Sequence, residues 1–193
     1  MNYNFFLSGI KNIFQSSDKT WETIESENRP VKFIEVHLLF PLIILVAVSA
    51  TIGSMVFVNT ELSPLYSVFT GIKCFCLFYL SIYFTSLVFG EITKALDLGK
   101  DFSKSFKIIT YSVVPLLLCQ ILSRLLESLL FVNVLALYGL YIFWAGVERL
   151  LNPPEHKKTP MMIATFVSFV AVYVVSDLVL TKFINLIFNT FFD

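Results

Sequence analysis

The chain has 193 residues, of which 56% are hydrophobic and 15% are charged, and its mean hydropathy is +0.78. Soluble domains are about 45–50% apolar and about 25% charged, so this composition excludes an ordinary soluble domain. The formal net charge of zero leaves no excess of basic residues for binding nucleic acid.

Residues 1–36 are predicted to form an amphipathic arm. An apolar stripe between Phe6 and Phe14 precedes the polar stretch SDKTWETIESEN, which is typical of a capped helix that carries Trp21. In one interpretation the arm consists of interfacial helices, with Trp21 as an aromatic anchor at a lipid or partner surface. In the other, a short helix packs on the cytoplasmic loops.

Residues 37–193 are predicted to form one membrane domain. Leu38–Thr60 and Ser128–Val147 contain no Asp, Glu, Lys, Arg or His, and roughly 20 apolar residues suffice to cross a hydrocarbon core of about 30 Å. The predicted fold class is an all-α integral membrane bundle of five transmembrane helices. The spans are expected at about 38–57, 65–90, 108–126, 131–150 and 161–181. The tail after Lys182 is either an interfacial helix or an extension of the fifth span.

The basic residues predict the orientation of the bundle. All except Lys73, Arg124 and Lys182 precede span one or follow span two or span four. Cytoplasmic loops are enriched in Lys and Arg. We therefore expect a cytoplasmic N-terminus and an external C-terminus, and the composition suits a bacterial inner (plasma) membrane.

The loop after span two, GEITKALDLGKDFSKSFKIITYSVVP, is unusually rich in charge. Gly99 is predicted to end one helix and Asp101 to cap the next. Two stripes follow on opposite faces of that helix: Lys100, Lys104 and Lys107 on one, and Phe102, Phe106 and Ile109 on the other. We expect Phe to face acyl chains and Lys to face headgroups or cytosol. The lysines either anchor the loop or form a surface for anionic lipid or a protein partner.

Ionisable residues within the spans are energetically costly and usually need a partner. Lys73 in span two and Asp177 in span five lie at comparable depths. Lys73 therefore either snorkels to the interface or pairs with Asp177. Arg124 and Glu127, three residues apart, are expected to pair locally at the hairpin turn.

Other positions suggest kinks and close packing. Pro115 lies within span three and frees a backbone carbonyl near Tyr111, which would open a polar notch. Gly139 and Gly146 share one face of span four and would let another element approach closely. Glu91 closes span two at the cytoplasmic side.

Enzyme motifs are missing from the sequence. It contains no HExxH, no GxSxG and no glycine-rich phosphate loop. Three cysteines, all within apolar runs, do not make a disulfide framework. We therefore predict no catalytic residue, no cofactor and no metal.

Several segments together resemble the Yip family, the Ypt-interacting-protein domain. They are TWETIESE, EITKALDLGKDFSKSF, KIITYSVVPLLL and YGLYIFWAGVERL, in this order over about residues 18–180. The resemblance implies five spans with the N-terminus inside, and it adds weight to Glu91, Tyr111, Pro115 and Trp144. Eukaryotic relatives are linked to Rab-type GTPases and vesicle traffic, but their cytosolic region is much longer than the arm of this chain.

The predicted function is that of a non-enzymatic membrane protein that organises membrane, lipid or partner proteins. Its working surfaces would be Trp21 and the three lysines at 100, 104 and 107. The alternative is a small oligomeric transporter or channel, for example a homodimer. Its polar path would be lined by Lys73, Glu91, Tyr111 and Asp177.

Overall fold

A computed structural model describes residues 3–15, 17–57 and 64–191, and this part of the chain contains helices and no β-strand. The helices are α1 (Tyr3–Gln15), α2 (Ser17–Glu27), α3 (Val31–Ile34), α4 (Phe40–Phe57), α5 (Pro64–Ala95), α6 (Phe102–Ser112), α7 (Val114–Leu125), α8 (Tyr138–Leu151) and α9 (Glu155–Phe191). A π-helical turn, Glu35–Leu39, joins α3 to α4, and a 3₁₀ segment, Glu127–Leu137, precedes α8.

Five helical stretches are long and apolar enough to cross a membrane. They are Val31–Val56, Pro64–Ala95, Phe102–Leu125, Leu129–Leu151 and Glu155–Ile187. This confirms the prediction of an all-α membrane bundle with five spans. The division into an arm of residues 1–36 and a membrane domain stays a prediction.

Successive spans run in opposite directions, so the bundle has two distinct ends. The basic end holds α1–α3, the α5–α6 loop and the α8–α9 loop. The far end holds the end of α4, the start of α5, the end of α7 and the 3₁₀ segment. The long helix α5 packs against α4, α6 and α9 and forms the centre of the bundle.

The turn between α5 and α6 has part of the predicted chemistry. Gly99 has a φ of +83°, a left-handed conformation that glycine adopts without strain. The Asp101 carboxylate accepts hydrogen bonds from the backbone N–H groups of Ser103 (2.8 Å) and Lys104 (3.2 Å). The cap at Asp101 is thus confirmed. The helix end is not at Gly99, because α5 ends at Ala95 and its left-handed end residue is Asp97, with a φ of 60°; the Leu98 N–H donates to the Thr93 carbonyl at 2.9 Å.

The third span is interrupted, whereas the sequence suggested a single span over 108–126. Helix α6 ends at Ser112 and α7 begins at Val114, with Pro115 in its first turn. Proline has no N–H to donate to the carbonyl four residues earlier, that of Tyr111. A cavity of 230 Å³ adjoins this break. Its lining is mainly apolar, in contrast to the predicted polar notch.

Helix α9 continues without a break to Phe191, so the tail extends the fifth span. It packs mainly against α5 and only slightly against α8. Most of its large apolar side chains are exposed on the protein surface, as expected for a helix that faces lipid.

Candidate functional site

At the basic end, α2 packs on α8 through one aromatic ring. The side chain of Trp21 is only 1% exposed. It lies over Gly146, where a Cβ atom would come within 2.5 Å of Trp21 Cζ2. The Tyr111 ring meets Trp21 edge-on, with 5.7 Å between the ring centroids. Trp21 therefore fills a notch in the protein, which corrects the expectation that it lies at a lipid or partner surface.

Charged residues at the rim of this contact link the same two helices. Arg149 Nε on α8 donates to Glu25 Oε2 on α2 at 2.8 Å, and Arg149 Nη1 lies 3.9 Å from Glu22 Oε1. Beside them is a cleft of 640 Å³ between α2 and α8, whose lining includes Glu22, Glu25, Glu148 and Arg149. The charged groups that line this cleft are thus predominantly acidic.

The arm as a whole is folded onto the bundle. Ile13 of α1 is buried, and Phe6 is almost completely so. The Arg29 guanidinium lies over the rings of Phe5 (4.4 Å) and Phe33 (4.6 Å). Of the two interpretations of the arm, the structure supports helices that pack on the protein, with α2 against α8 and α1 against the π-helical turn.

The predicted lysine stripe does not face outward as a unit. Lys107 is only 4% exposed, and its Nζ donates to Asn28 Oδ1 at 2.9 Å. Lys100 pairs with Glu91. Lys104 Nζ donates to the Leu150 carbonyl at 3.3 Å. Each lysine thus bonds to a group of the chain itself.

The opposite, aromatic stripe also departs from the expectation. Phe106 is 1% exposed, Ile109 is buried, and the Phe102 ring contacts the rings of Tyr83 and Phe106. The stripe therefore faces the protein core and not acyl chains. An amphipathic pattern alone cannot distinguish these surroundings, since both are apolar.

Two further lysines connect the loops at this end. Lys157 Nζ donates to the Leu96 carbonyl at 2.6 Å and lies 3.6 Å from Asp97 Oδ2. Lys158 Nζ lies 2.8 Å from Glu148 Oε1 and 2.6 Å from Glu155 Oε1. The loops α5–α6 and α8–α9 and the arm thus form one connected surface.

The four residues predicted to line a polar path lie in three separate places. Lys73 and Asp177 form an ion pair with 2.7 Å between Nζ and Oδ1, as the pairing hypothesis predicts. Glu91 bonds with Lys100 at the basic end, and Tyr111 packs beside Trp21. Their positions therefore do not outline one polar path. The side chain of Glu127 lies outside the described residues, so its predicted pairing with Arg124 stays a prediction.

A family model described as the Yip1 domain matches residues 11–176. The chain belongs to the Yip1 domain family. No curated protein and no solved structure gave a significant match. The matched range contains the whole contact between α2, α6 and α8. In this chain, the segments TWETIESE, KIITYSVVP and YGLYIFWAGVERL meet around Trp21 and Gly146.

Sequence reasoning missed two parts of this site. Asn28, which binds Lys107 from 79 positions away, gave no signal in the sequence. Glu22 and Glu25 share a helix face because they are three residues apart, and that acidic face could have been matched to a basic residue such as Arg149.

Among the described residues, no group of three or more His, Cys, Asp or Glu could hold a metal ion.

Proposed function

We propose that this Yip1 domain protein is a non-enzymatic membrane scaffold whose basic end organises a partner protein at the cytoplasmic face of a bacterial inner membrane. The orientation is supported by the basic residues, since only Lys73, Arg124 and Lys182 lie away from the basic end. Positively charged segments stay on the cytoplasmic side during insertion.

The observation that carries the proposal is the insertion of Trp21 into the notch at Gly146. It fixes the arm against the bundle and creates the acidic cleft beside Arg149. A fixed surface of this kind suits recognition of a folded partner, because little conformational freedom is lost on binding. Of the three predicted lysines, Lys107 is buried and bonded to Asn28, so the lysine stripe does not act as a unit on anionic lipid.

The test places a photo-crosslinking amino acid at Glu22 in the full chain expressed in cells. We expect adducts of discrete mass that disappear in Gly146→Leu, because that substitution displaces α2. A probe at Leu130, exposed at the far end, serves as the positional control. An adduct of twice 22.0 kDa would identify the partner as a second copy of the chain.

The scaffold would be refuted by two results. One is a cleft probe that yields no discrete adduct, or the same adducts in Gly146→Leu. The other is ion or solute flux through the purified chain in liposomes, which would instead favour the transporter.

A further inference from the structure

A second polar cavity lies at the far end, away from the surface assigned to partner binding. It has a volume of 680 Å³, is open on one side, and is lined by α4, α5, α7, the 3₁₀ segment and α9. Hydroxyl and amide side chains supply much of its lining, including Ser54, Thr70, Gln120, Ser123 and Asn133. So many hydrogen-bonding groups within one cavity at the end of a membrane bundle suggest a ligand that is itself polar.

Arg124 provides the positive charge of this far-end cavity. Its Nε donates to Gln120 Oε1 at 3.3 Å, and Tyr173 lines the same cavity. Gln120 Nε2 in turn donates to Asn133 Oδ1 at 3.0 Å. These contacts are with neutral groups, and among the described side chains Arg124 forms no ion pair.

The nearest described carboxylate already has a partner. Asp177 lies one helical turn beyond Tyr173, and its Oδ1 is 2.7 Å from Lys73 Nζ. The Lys73–Asp177 pair is neutral overall, so Arg124 gives the described lining of the cavity a net positive charge. A guanidinium carries five N–H donors, so Arg124, whose described contacts are with neutral groups, can also bind an anion.

Close backbone packing fixes the position of Arg124. A Cβ atom at Gly53 on α4 would collide with the Arg124 carbonyl oxygen, so the two helices touch at this point. Arg124 is also the penultimate residue of its span, Phe102–Leu125. The guanidinium therefore lies at the depth where the hydrocarbon gives way to phospholipid headgroups.

We propose that the far-end cavity binds a phosphate group, with the Arg124 guanidinium as its main ligand. The planar fork of arginine donors matches phosphate oxygens in a bidentate fashion. The Asn133 amide and the hydroxyls of the lining supply further hydrogen bonds. The phosphate belongs either to a lipid headgroup or to a soluble phosphate compound, which present the same oxygens to the cavity.

The experiment uses the full chain purified in a maltoside detergent, which contains no phosphate. Thermal unfolding is followed while three ligands are titrated: short-chain phosphatidylglycerol, the matched diacylglycerol without phosphate, and inorganic phosphate. We expect phosphatidylglycerol to raise the unfolding temperature saturably and diacylglycerol to have no effect. Competition by inorganic phosphate at millimolar concentration would identify the phosphate alone as the recognised group, and its failure would identify the lipid headgroup.

Variants show whether Arg124 is responsible. Arg124→Gln should weaken phosphatidylglycerol binding at least tenfold, and Arg124→Lys, which keeps the charge but loses the fork, should weaken it about threefold to tenfold. Lys182→Gln removes an exposed far-end charge outside the cavity and should leave binding unchanged. Each variant is first checked for a single monodisperse peak in gel filtration, and Arg124→Lys serves as the test if Arg124→Gln does not fold.

Three outcomes would overturn the proposal. Equal affinity of the wild type and Arg124→Gln for phosphatidylglycerol would show that the guanidinium does not bind it. Equal stabilisation by diacylglycerol would show that the phosphate is not recognised. A loss of binding in Lys182→Gln as large as that in Arg124→Gln would show that surface charge at this end, and not the cavity, attracts the lipid.

Discussion

The ammonium of Lys73 and the carboxylate of Asp177 lie 2.7 Å apart and join α5 to α9. Lys73 is roughly 14 Å from the start of α5, at 1.5 Å rise per residue, and is therefore well inside the span. The side chains are 26% and 39% exposed, so the pair lies at the edge of the bundle. It is the one ion pair between α5 and α9 among the described residues.

Asp177→Asn should destabilise the protein by about 2 kcal/mol, because it leaves Lys73 charged and without an ionic partner in the span. Lys73→Met in the Asp177→Asn background should restore much of the loss. The measurement is thermal unfolding in detergent together with the yield of membrane-inserted protein. Lys182→Met is the matched control and should have little effect. If the effects of the two substitutions on stability are simply additive, Lys73 and Asp177 do not stabilise each other.

Gly146→Ala should loosen the arm, since the new methyl group would overlap the buried ring of Trp21. Overpacking of this kind typically costs about 1–3 kcal/mol. In a Trp144→Phe background, the emission of Trp21 should shift to longer wavelength and the arm should be cut faster by protease. Gly9→Ala is the control, because its methyl group would lie at an ordinary 3.7 Å from Leu38. Unchanged Trp21 emission in Gly146→Ala would contradict the direct packing of the Trp21 ring over Gly146.

The ionic contacts of Arg149 should matter less than the ring of Trp21. The pairs with Glu22 and Glu25 are about half exposed, and such pairs contribute roughly 0–1 kcal/mol. Truncation of a buried tryptophan costs about 3–5 kcal/mol. Hydrogen exchange of residues 20–27 should therefore rise slightly in Arg149→Gln and strongly in Trp21→Ala. A larger increase in Arg149→Gln than in Trp21→Ala would reverse this ranking.

Asn28→Gly should destabilise the basic end by about 1–3 kcal/mol, because Lys107 would lose its acceptor while remaining buried. Glycine is the suitable replacement, since Asn28 has a positive φ of 36° that glycine tolerates. Adding Lys107→Met should recover part of the stability, as judged by thermal unfolding. Lys104→Met, at the exposed neighbour on the same helix, should have little effect. A destabilisation by Lys104→Met equal to that of Asn28→Gly would argue against the buried bond.

Structural features that depend on local composition could be predicted from the sequence. The five spans follow from apolar length, because the hydrocarbon core sets a minimum number of residues. Asp101 was identified because a helix cap has a strong residue preference, whereas the helix end assigned to Gly99 lies at Asp97. Lys73 and Asp177 were predicted to pair because they lie at comparable depths and an unpaired charge within a span is costly.

Features that depend on which helices are neighbours could not be predicted. The burial of Trp21 requires that α2 lie opposite Gly146, and the burial of Lys107 requires Asn28 to approach across 79 positions. Neither relation has a local signature. For the tail after Lys182 the sequence left open an interfacial helix or an extension of the fifth span, and the backbone, helical to Phe191, supports the extension.

The Lys73–Asp177 pair also has a consequence for how the protein is made. Asp177 follows Lys73 by 104 positions, and ribosomes add about 5–20 residues per second. For roughly 5–20 seconds the growing chain thus carries the lysine of the second span before its carboxylate has been synthesised. During this interval the nascent protein depends on snorkelling, or on another factor in the membrane, to retain that helix.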